Sequence, residues 1–329
     1  MNTSIEPAAE GATCPRCSSV VPVGTESCPG CGLGFLRRGG VLDVLGLRER
    51  EQRAAGVEAF YTESPFPGYA PGDDGPALLD RCRSAPYLAA LDAAVPPAAR
   101  VLDLGCGTGQ IPAFLALAAP RRQVFGIDGC RRSLELADGF RARCGISNLQ
   151  LTRADLFELP VEPGSFQVVH SRGVVHHTPD PARAIEGVAR CVAPGGFLVL
   201  GFYETLGRAF HCLRRQLGRL RPGKRPFSTL DPILRRRDFD DEKKRIWIDD
   251  QYHHPLEHIL PLPAVWKQLE GLGFEWVRTI PPAVGGGSLF QESQQPGGPS
   301  LLARRLGWML AGPIDHDAGL VCLVVRRRS

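Results

Sequence analysis

Residues 101–109 read Val-Leu-Asp-Leu-Gly-Cys-Gly-Thr-Gly, and this stretch constrains the chain more than any other. Val101 to Leu104 form a short apolar run with one acid, the pattern of a buried strand. Gly105, Gly107 and Gly109 follow at every second position and allow a tight turn that side chains would obstruct. Residues 110–119 then read as a helix, with Pro112 tolerated in its first turn. Strand, glycine turn and helix in succession belong at the carboxyl edge of a parallel sheet, where a nucleotide-like ligand can lie against bare backbone. The spacing is not the dinucleotide pattern G-x-G-x-x-G, because position 110 is Gln. A tight turn that holds no ligand is the alternative.

The pattern Asp103-x-Gly105-x-Gly107-x-Gly109 is similar to motif I of class I S-adenosylmethionine-dependent methyltransferases. Residues 173–181, Gly-Val-Val-His-His-Thr-Pro-Asp-Pro, with Pro194-Gly195-Gly196, resemble a "GVLHHTPDP … PGG" region of bacterial methyltransferases related to the ubiquinone and menaquinone methylating enzymes. The resemblance covers residues 56–205 well and weakens beyond. It implies an α/β fold: a seven-stranded Rossmann-like sheet with helices on both faces and an antiparallel last strand. It also implies S-adenosylmethionine as cofactor. Gly105, Cys106, Gly107 and Gly109 would let the backbone approach it, and Asp103 would hold its methionine ammonium.

The later segments fall in the order this fold requires. Residues 123–128 read as a second strand ending in Asp128, 23 residues after Gly105, where a carboxylate can accept both ribose hydroxyls. Residues 131–144 read as a helix and 149–156 as the third strand. By resemblance, Asp155 accepts the adenine amino group and Leu156 donates its backbone N–H to the ring. Residues 165–172 form the fourth strand, and Arg172 at its end can close over the cofactor edge. Asp180 can cap the next helix with Pro181 at its first position. That helix should run to about residue 192 and stop at Pro194, and residues 197–203 form the fifth strand. Residues 265–271 suit a helix, 274–280 and 320–325 two strands, and the glycine- and proline-rich stretch 281–299 should be mobile.

In this fold the loop after the fourth strand faces the transferred methyl. His176 and His177 are the titratable pair there with a pKa near neutrality, placed to take a proton from an acceptor. The alternative is that an imidazole shapes the loop. Residues 60–76 are too rich in proline and glycine for a helix or a central strand. They suit a lid in which Tyr61, Phe66 and Tyr69 exclude water, or else pack on the core. Residues 78–94 read as a helix interrupted near Pro86.

Cys14-Pro-Arg-Cys17 and Cys28-Pro-Gly-Cys31 are two C-x-x-C knuckles. Cys14, Cys17, Cys28 and Cys31 at this spacing can close a tetrahedron around a structural Zn²⁺, which would supply the folding energy that a ribbon of this size lacks. Residues 1–35 carry one Arg against three Glu, which disfavours phosphate binding by the ribbon alone. The expected organisation is a zinc ribbon at 1–36, a linker and helical cover with the aromatic lid at 37–95, and a methyltransferase domain at 96–329. The last carries an insert at about 204–260.

The net charge of +4 is unevenly spread: residues 208–245 hold thirteen Lys/Arg against five Asp/Glu. Such an insert can face an acidic partner or be a solvated surface. Tyr203, Arg208, Asp250, Tyr252 and His253 are candidate acceptor contacts; a structural or dimerising subdomain is the alternative. No apolar run reaches the length of a membrane span. Residues 1–12 lack the basic and apolar regions of a signal peptide. Eleven cysteines, seven of them irregularly scattered, fit reduced thiols in a cytoplasm. The expected activity is methyl transfer from S-adenosylmethionine to a small molecule, with RNA or protein as the other acceptor classes. A non-catalytic cofactor-binding or docking protein is the remaining alternative.

Overall fold

The computed structural model describes residues 11–14, 16–22, 25–45, 52–63, 65, 68–69, 72–219, 231, 234, 241–280, 288–291, 295–311 and 319–329. Two short strands open the chain, β1 (Gly11–Thr13) and β2 (Val20–Pro22), paired antiparallel. They are followed by β3 (Leu36–Arg38), β4 (Val41–Asp43) and three helices, α1 (Gln52–Glu63), α2 (Gly75–Ser84) and α3 (Pro86–Ala94). Then β5 (Arg100–Leu104), α4 (Gln110–Ala118), β6 (Gln123–Asp128), α5 (Arg131–Arg143), β7 (Leu149–Arg153), β8 (Phe166–Arg172), α6 (Pro181–Arg190) and β9 (Val192–Tyr203) alternate. The closing elements are α7 (Ala209–Arg219), α8 (Asp241–Ile248), α9 (Leu262–Gly271), β10 (Phe274–Ile280), α10 (Gly298–Ala311) and β11 (Leu320–Arg327).

Nine strands form one sheet in the order β10-β11-β9-β8-β5-β6-β7-β4-β3. The run from β9 to β4 is parallel; β11 pairs antiparallel with both β9 and β10, so β10 runs in the direction of the parallel set, and β3 at the other end is antiparallel to β4. The order reverses between β5 and β8, so the carboxyl ends of these two strands open a crevice. The central strands are buried on both faces, as βαβ crossovers demand. One apolar core joins α6, α9 and α10 to the sheet through Ile185, Val188, Trp266, Leu269 and Trp308. The other joins α2 to α5 through Leu78, Leu91, Phe114 and Phe140.

Several sequence expectations are corrected. The sheet has nine strands, not seven, because β3 and β4 extend it past β7: Val41–Asp43 run parallel to Leu151–Arg153. Proline and glycine do not exclude a helix at residue 60, since α1 continues to Glu63 and carries Tyr61. The fifth strand begins at Val192, not 197; Pro194-Gly195-Gly196 lie within it, and the register against β8 shifts there. The 281–299 stretch is partly fixed. Leu289 is buried and Phe290 stacks on Phe197 with centroids 4.3 Å apart. Helix α10 was not read from the sequence at all. The capping expectation at Asp180 is met, its side chain accepting from Arg183 N at 3.1 Å.

Candidate active site

The crevice between β5 and β8 is a cavity of about 630 Å³, within the usual range for a small-molecule site, about 300–1,000 Å³. One end is built by strand termini. Gly105, Gly107 and Gly109 all have positive φ, at 71°, 54° and 79°. A Cβ on Gly105 would strike the Val174 side chain, and one on Gly109 would lie 2.7 Å from Ala137 Cβ. The loop spends its N–H groups internally: Gly105 N and Cys106 N donate to Ile127 O, and Gly107 N donates to Asp128 Oδ2 at 2.8 Å. These three N–H groups are thus engaged within the fold and do not form an anion-binding row of donors.

Asp128 also accepts from Cys130 N at 2.7 Å. Burial pushes its carboxyl above the ordinary carboxylate range, against the pull of those two backbone donors. Asp155 accepts from Phe157 N at 2.8 Å, which turns the chain after β7 and sets Asp155 and Leu156 on the wall. Asp103, Cys106 and Arg172 line the same end. Burial raises the Cys106 thiol far above its usual pKa, so it stays protonated.

Asp103 is held by residues that the sequence alone does not single out. Its Oδ1 lies 2.7 Å from His170 Nδ1, and His170 Nε2 lies 2.7 Å from the Tyr87 hydroxyl. A carboxylate accepts, so Nδ1 donates to Asp103, and Nε2 is hydrogen-bonded to the Tyr87 hydroxyl. The guanidinium of Arg172 sits 5.1 Å over the Tyr87 ring.

The other end is walled by α1 and by the segment after β9. Val57, Glu58 and Tyr61 come from α1, with Leu45 from just after β4, and Trp247, Asp250 and Gln251 come from the later segment, with Tyr203 from the end of β9. Gln251 ties this wall together: Nε2 donates to the Tyr203 hydroxyl at 2.7 Å and to Asp250 at 2.6 Å, while Oε1 accepts from Arg208. Tyr61 donates to Asp250 at 3.4 Å. Burial raises the Asp250 carboxyl and holds Tyr61 and Tyr203 neutral.

His177 and His176 part ways here. His177 lines the cavity, its Nδ1 lies 2.7 Å from Leu256 O, and its ring lies 3.7 Å from that of His254. A carbonyl cannot donate, so Nδ1 carries the proton and Nε2 keeps the lone pair. Burial lowers its pKa to about 4. His176 is wholly buried behind it, 4.1 Å from the Tyr203 ring, and neither ring nitrogen has a hydrogen-bond partner among the described residues. The expectation that it can serve as a base is corrected, because it does not reach the cavity.

Other aromatic and polar candidates also leave the site. Tyr69 stacks on Phe140 and donates to Thr108 O, outside the cavity. Phe66 lies outside the described residues. Tyr252 is turned to Asp231, and His253 is exposed beside Asp249. Arg208 is buried under the wall, 3.6 Å over the Tyr203 ring, and acts on the cavity only through Tyr203 and Gln251.

Residues 102–200 match the family model described as a methyltransferase domain. Those residues form a methyltransferase domain within the chain. Its similarity to curated relatives includes 28% identity over 198 residues with an uncharacterized protein of a Synechococcus strain, covering 54% of this chain and 48% of that protein. It is also 36% identical over 110 residues to a ubiquinone biosynthesis O-methyltransferase of Paracidovorax citrulli, covering 33% and 44% of the two chains. The chain thus spans about half the length of the curated relatives it matches. Among solved structures, magnesium protoporphyrin IX methyltransferase of Synechocystis is similar at 16% identity and TM-score 0.49, covering 84% of this chain and 100% of that one.

Ahead of the methyltransferase domain, Cys14, Cys17, Cys28 and Cys31 bring their Sγ atoms within 4.8 Å of one another. The pairs Cys14–Cys31 and Cys17–Cys28 lie 3.7 and 3.4 Å apart, close to the edge of about 3.8 Å of a tetrahedron with zinc–sulfur bonds of about 2.3 Å. The two knuckles repeat one backbone device. Ser18 N donates to Cys14 O and Gly32 N to Cys28 O, with φ of 62° at Ser18 and 68° at Gly32.

Proposed function

We propose that this protein transfers a methyl group from S-adenosylmethionine to a small-molecule acceptor. The observation that carries this is a single cavity with two unlike ends. One end holds Asp103, Asp128 and Asp155, which have no Lys or Arg in ion-pair contact among the described residues. Three carboxylates beside an inward-turned glycine loop suit a cationic adenosyl ligand better than a pyrophosphate. Asp128 accepts the ribose hydroxyls, Asp103 takes the methionine ammonium, and Asp155 with Leu156 addresses the adenine. When bound, the cofactor supplies an electrophilic methyl on a sulfonium, and the protein's task is chiefly alignment and exclusion of water.

Tyr61, Tyr203 and Trp247 close the acceptor end against water. His177 is the histidine with a lone pair facing the cavity. Its Nε2 accepts a hydrogen bond from an acceptor hydroxyl or amine and takes its proton as the new bond to the methyl forms. The four thiols bind Zn²⁺ in a closed structural site with no open position. The methyltransferase domain, 96–329, is preceded by this ribbon at 1–36 and by the linker and helical cover at 37–95.

Calorimetry with S-adenosylmethionine and with NAD tests the cofactor: binding of the first and not the second is expected. A methylation screen of extracts fractionated into metabolites, RNA and protein tests the acceptor. Release of S-adenosylhomocysteine with the metabolite fraction alone is expected, and labelling of RNA alone would overturn the small-molecule assignment.

A further inference from the structure

Strand register puts three polar side chains of the crevice on one face of the sheet. His170 of β8 is the Cα partner of Asp103 in β5. Arg172 follows His170 by two, so all three leave the sheet on the same side. Helix α3 covers that side, and its Tyr87 packs with Val101, Val168 and Val199 of the same strands. Tyr87 reaches two opposite charges. Its hydroxyl lies 2.7 Å from His170 Nε2, and His170 Nδ1 lies 2.7 Å from Asp103 Oδ1. Its ring lies under the Arg172 guanidinium, 5.1 Å from the centroid, a cation–π contact. The neighbouring strand makes room for Arg172. Gly201 is its Cα partner in β9, and a Cβ there would lie 2.7 Å from Arg172 Cγ.

Tyr87, Asp103, His170 and Arg172 all line the cavity. No salt bridge joins Asp103 to Arg172 among the described residues, and the ion-pair contact of Asp103 is with His170. His170 engages Oδ1, which leaves Oδ2 to a ligand. A carboxylate and a guanidinium held apart on one wall suit a ligand with both charges, and a neutral ligand would desolvate them without compensation. The α-ammonium and α-carboxylate of an amino acid are such a pair. We propose that Tyr87 is a positioning residue, which sets Asp103 and Arg172 as a two-sided clamp on the amino-acid head of the cofactor. Asp103 takes the ammonium and Arg172 the carboxylate. This rests on the methyl-transfer reading above and adds the coupling of the helical cover to cofactor recognition.

The test is calorimetry of the full chain with three adenosyl ligands. S-adenosylhomocysteine carries both head charges, S-adenosyl-3-thiopropylamine lacks the carboxylate, and 5′-methylthioadenosine has neither. The unmodified protein should bind the first about a hundredfold more tightly than the last, with the amine between them. Tyr87→Phe keeps the ring under Arg172 and removes the hydroxyl. It should weaken S-adenosylhomocysteine and the amine about tenfold each, and change 5′-methylthioadenosine by less than about twofold. Arg172→Leu should weaken S-adenosylhomocysteine about tenfold and spare the other two. A general loosening of α3 would not sort ligands by head charge. If Tyr87→Phe does not fold, His170→Asn retains a donor to Asp103, drops the link to Tyr87 and should give the same pattern as Tyr87→Phe. Equal affinity of the unmodified protein for all three ligands, or a loss in Tyr87→Phe that is the same for all three, overturns the clamp and leaves the adenosyl site standing. Binding of none of the three overturns the methyl-transfer reading and the clamp with it.

Discussion

The two ends of the cavity are made in different ways. The end proposed for the adenosyl group is assembled by strand termini: β5, β6 and β7 lie side by side, so Asp103, Asp128 and Asp155 converge through sheet geometry. The acceptor end is assembled by side chains that clasp one another, with Gln251 bonded to Tyr203, Asp250 and Arg208. A site set by backbone pairing is fixed by a few residues at regular spacing. A site set by a side-chain network depends on residues from α1, β9 and the segment near 250 meeting in space. The first end is general to the fold, and the second is where one chain differs from the next.

The largest effect should come from breaking only the backbone-built end. Asp128→Ala removes an acceptor for charge-assisted bonds and should weaken S-adenosylmethionine binding about a hundredfold by calorimetry. Trp247→Ala at the other end should leave that affinity within about threefold, and equal losses would erase the distinction. The next effect is acid instability of the side-chain-built end. Burial lowers His177 and His254 from 6.5 to about 4. Both groups fold neutral, so the stability they contribute is complete above about pH 6.5 and is lost as pH falls toward about 4. Urea unfolding at pH 7 and pH 5 should differ by about 2 kcal/mol for each of the two histidines, and His177→Asn should remove about half of that difference.

A third substitution tests the joint between the two constructions. Glu58 lines the cavity and pairs with Arg153 at 2.7 Å, and Arg153 in turn bonds the buried Asp43. Glu58→Ala should cost about 1.5 kcal/mol in urea unfolding, and it should leave the Asp128→Ala binding defect unchanged in the double variant. The smallest effect concerns the paired knuckles. Gly32→Ala forces a side chain into a left-handed conformation and should destabilise by about 1 kcal/mol, while Ser18→Gly should stabilise by a similar or smaller amount.

What could be read in the sequence follows the same division. The glycine loop, the three acids and the capped helix after Asp180 are local patterns with fixed spacing, so strand order and the meeting of those acids at one cavity were legible. The four cysteines were legible because ligand spacing is itself the signal. Tyr87 and His170 were not, because neither sits in a pattern: His170 meets Asp103 through the pairing of β8 with β5, and Tyr87 reaches His170 from α3. Gln251 and Trp247 lay in a segment whose periodicity says little, and Tyr252 and His253 beside them carried more chemistry but face away. His176 and His177 are adjacent in a 3-10 turn, and only their tertiary surroundings tell them apart: His177 lines the cavity and bonds Leu256 O, and His176 does neither. The strands β3 and β4 are three residues each, too short for alternation to be visible.

Those two short strands have a consequence for anyone who trims the chain. Without Val41–Asp43, β7 becomes a border with a bare row of main-chain donors and acceptors along Leu151–Arg153. Arg153 would also lose Asp43, its carboxylate counterion on that side. An unprotected parallel border of this kind recruits strands from other molecules. A fragment cut to the family-matched region should therefore collect in inclusion bodies, and the amino-terminal segment is as much a seal against polymerisation as a carrier of the four-cysteine cluster.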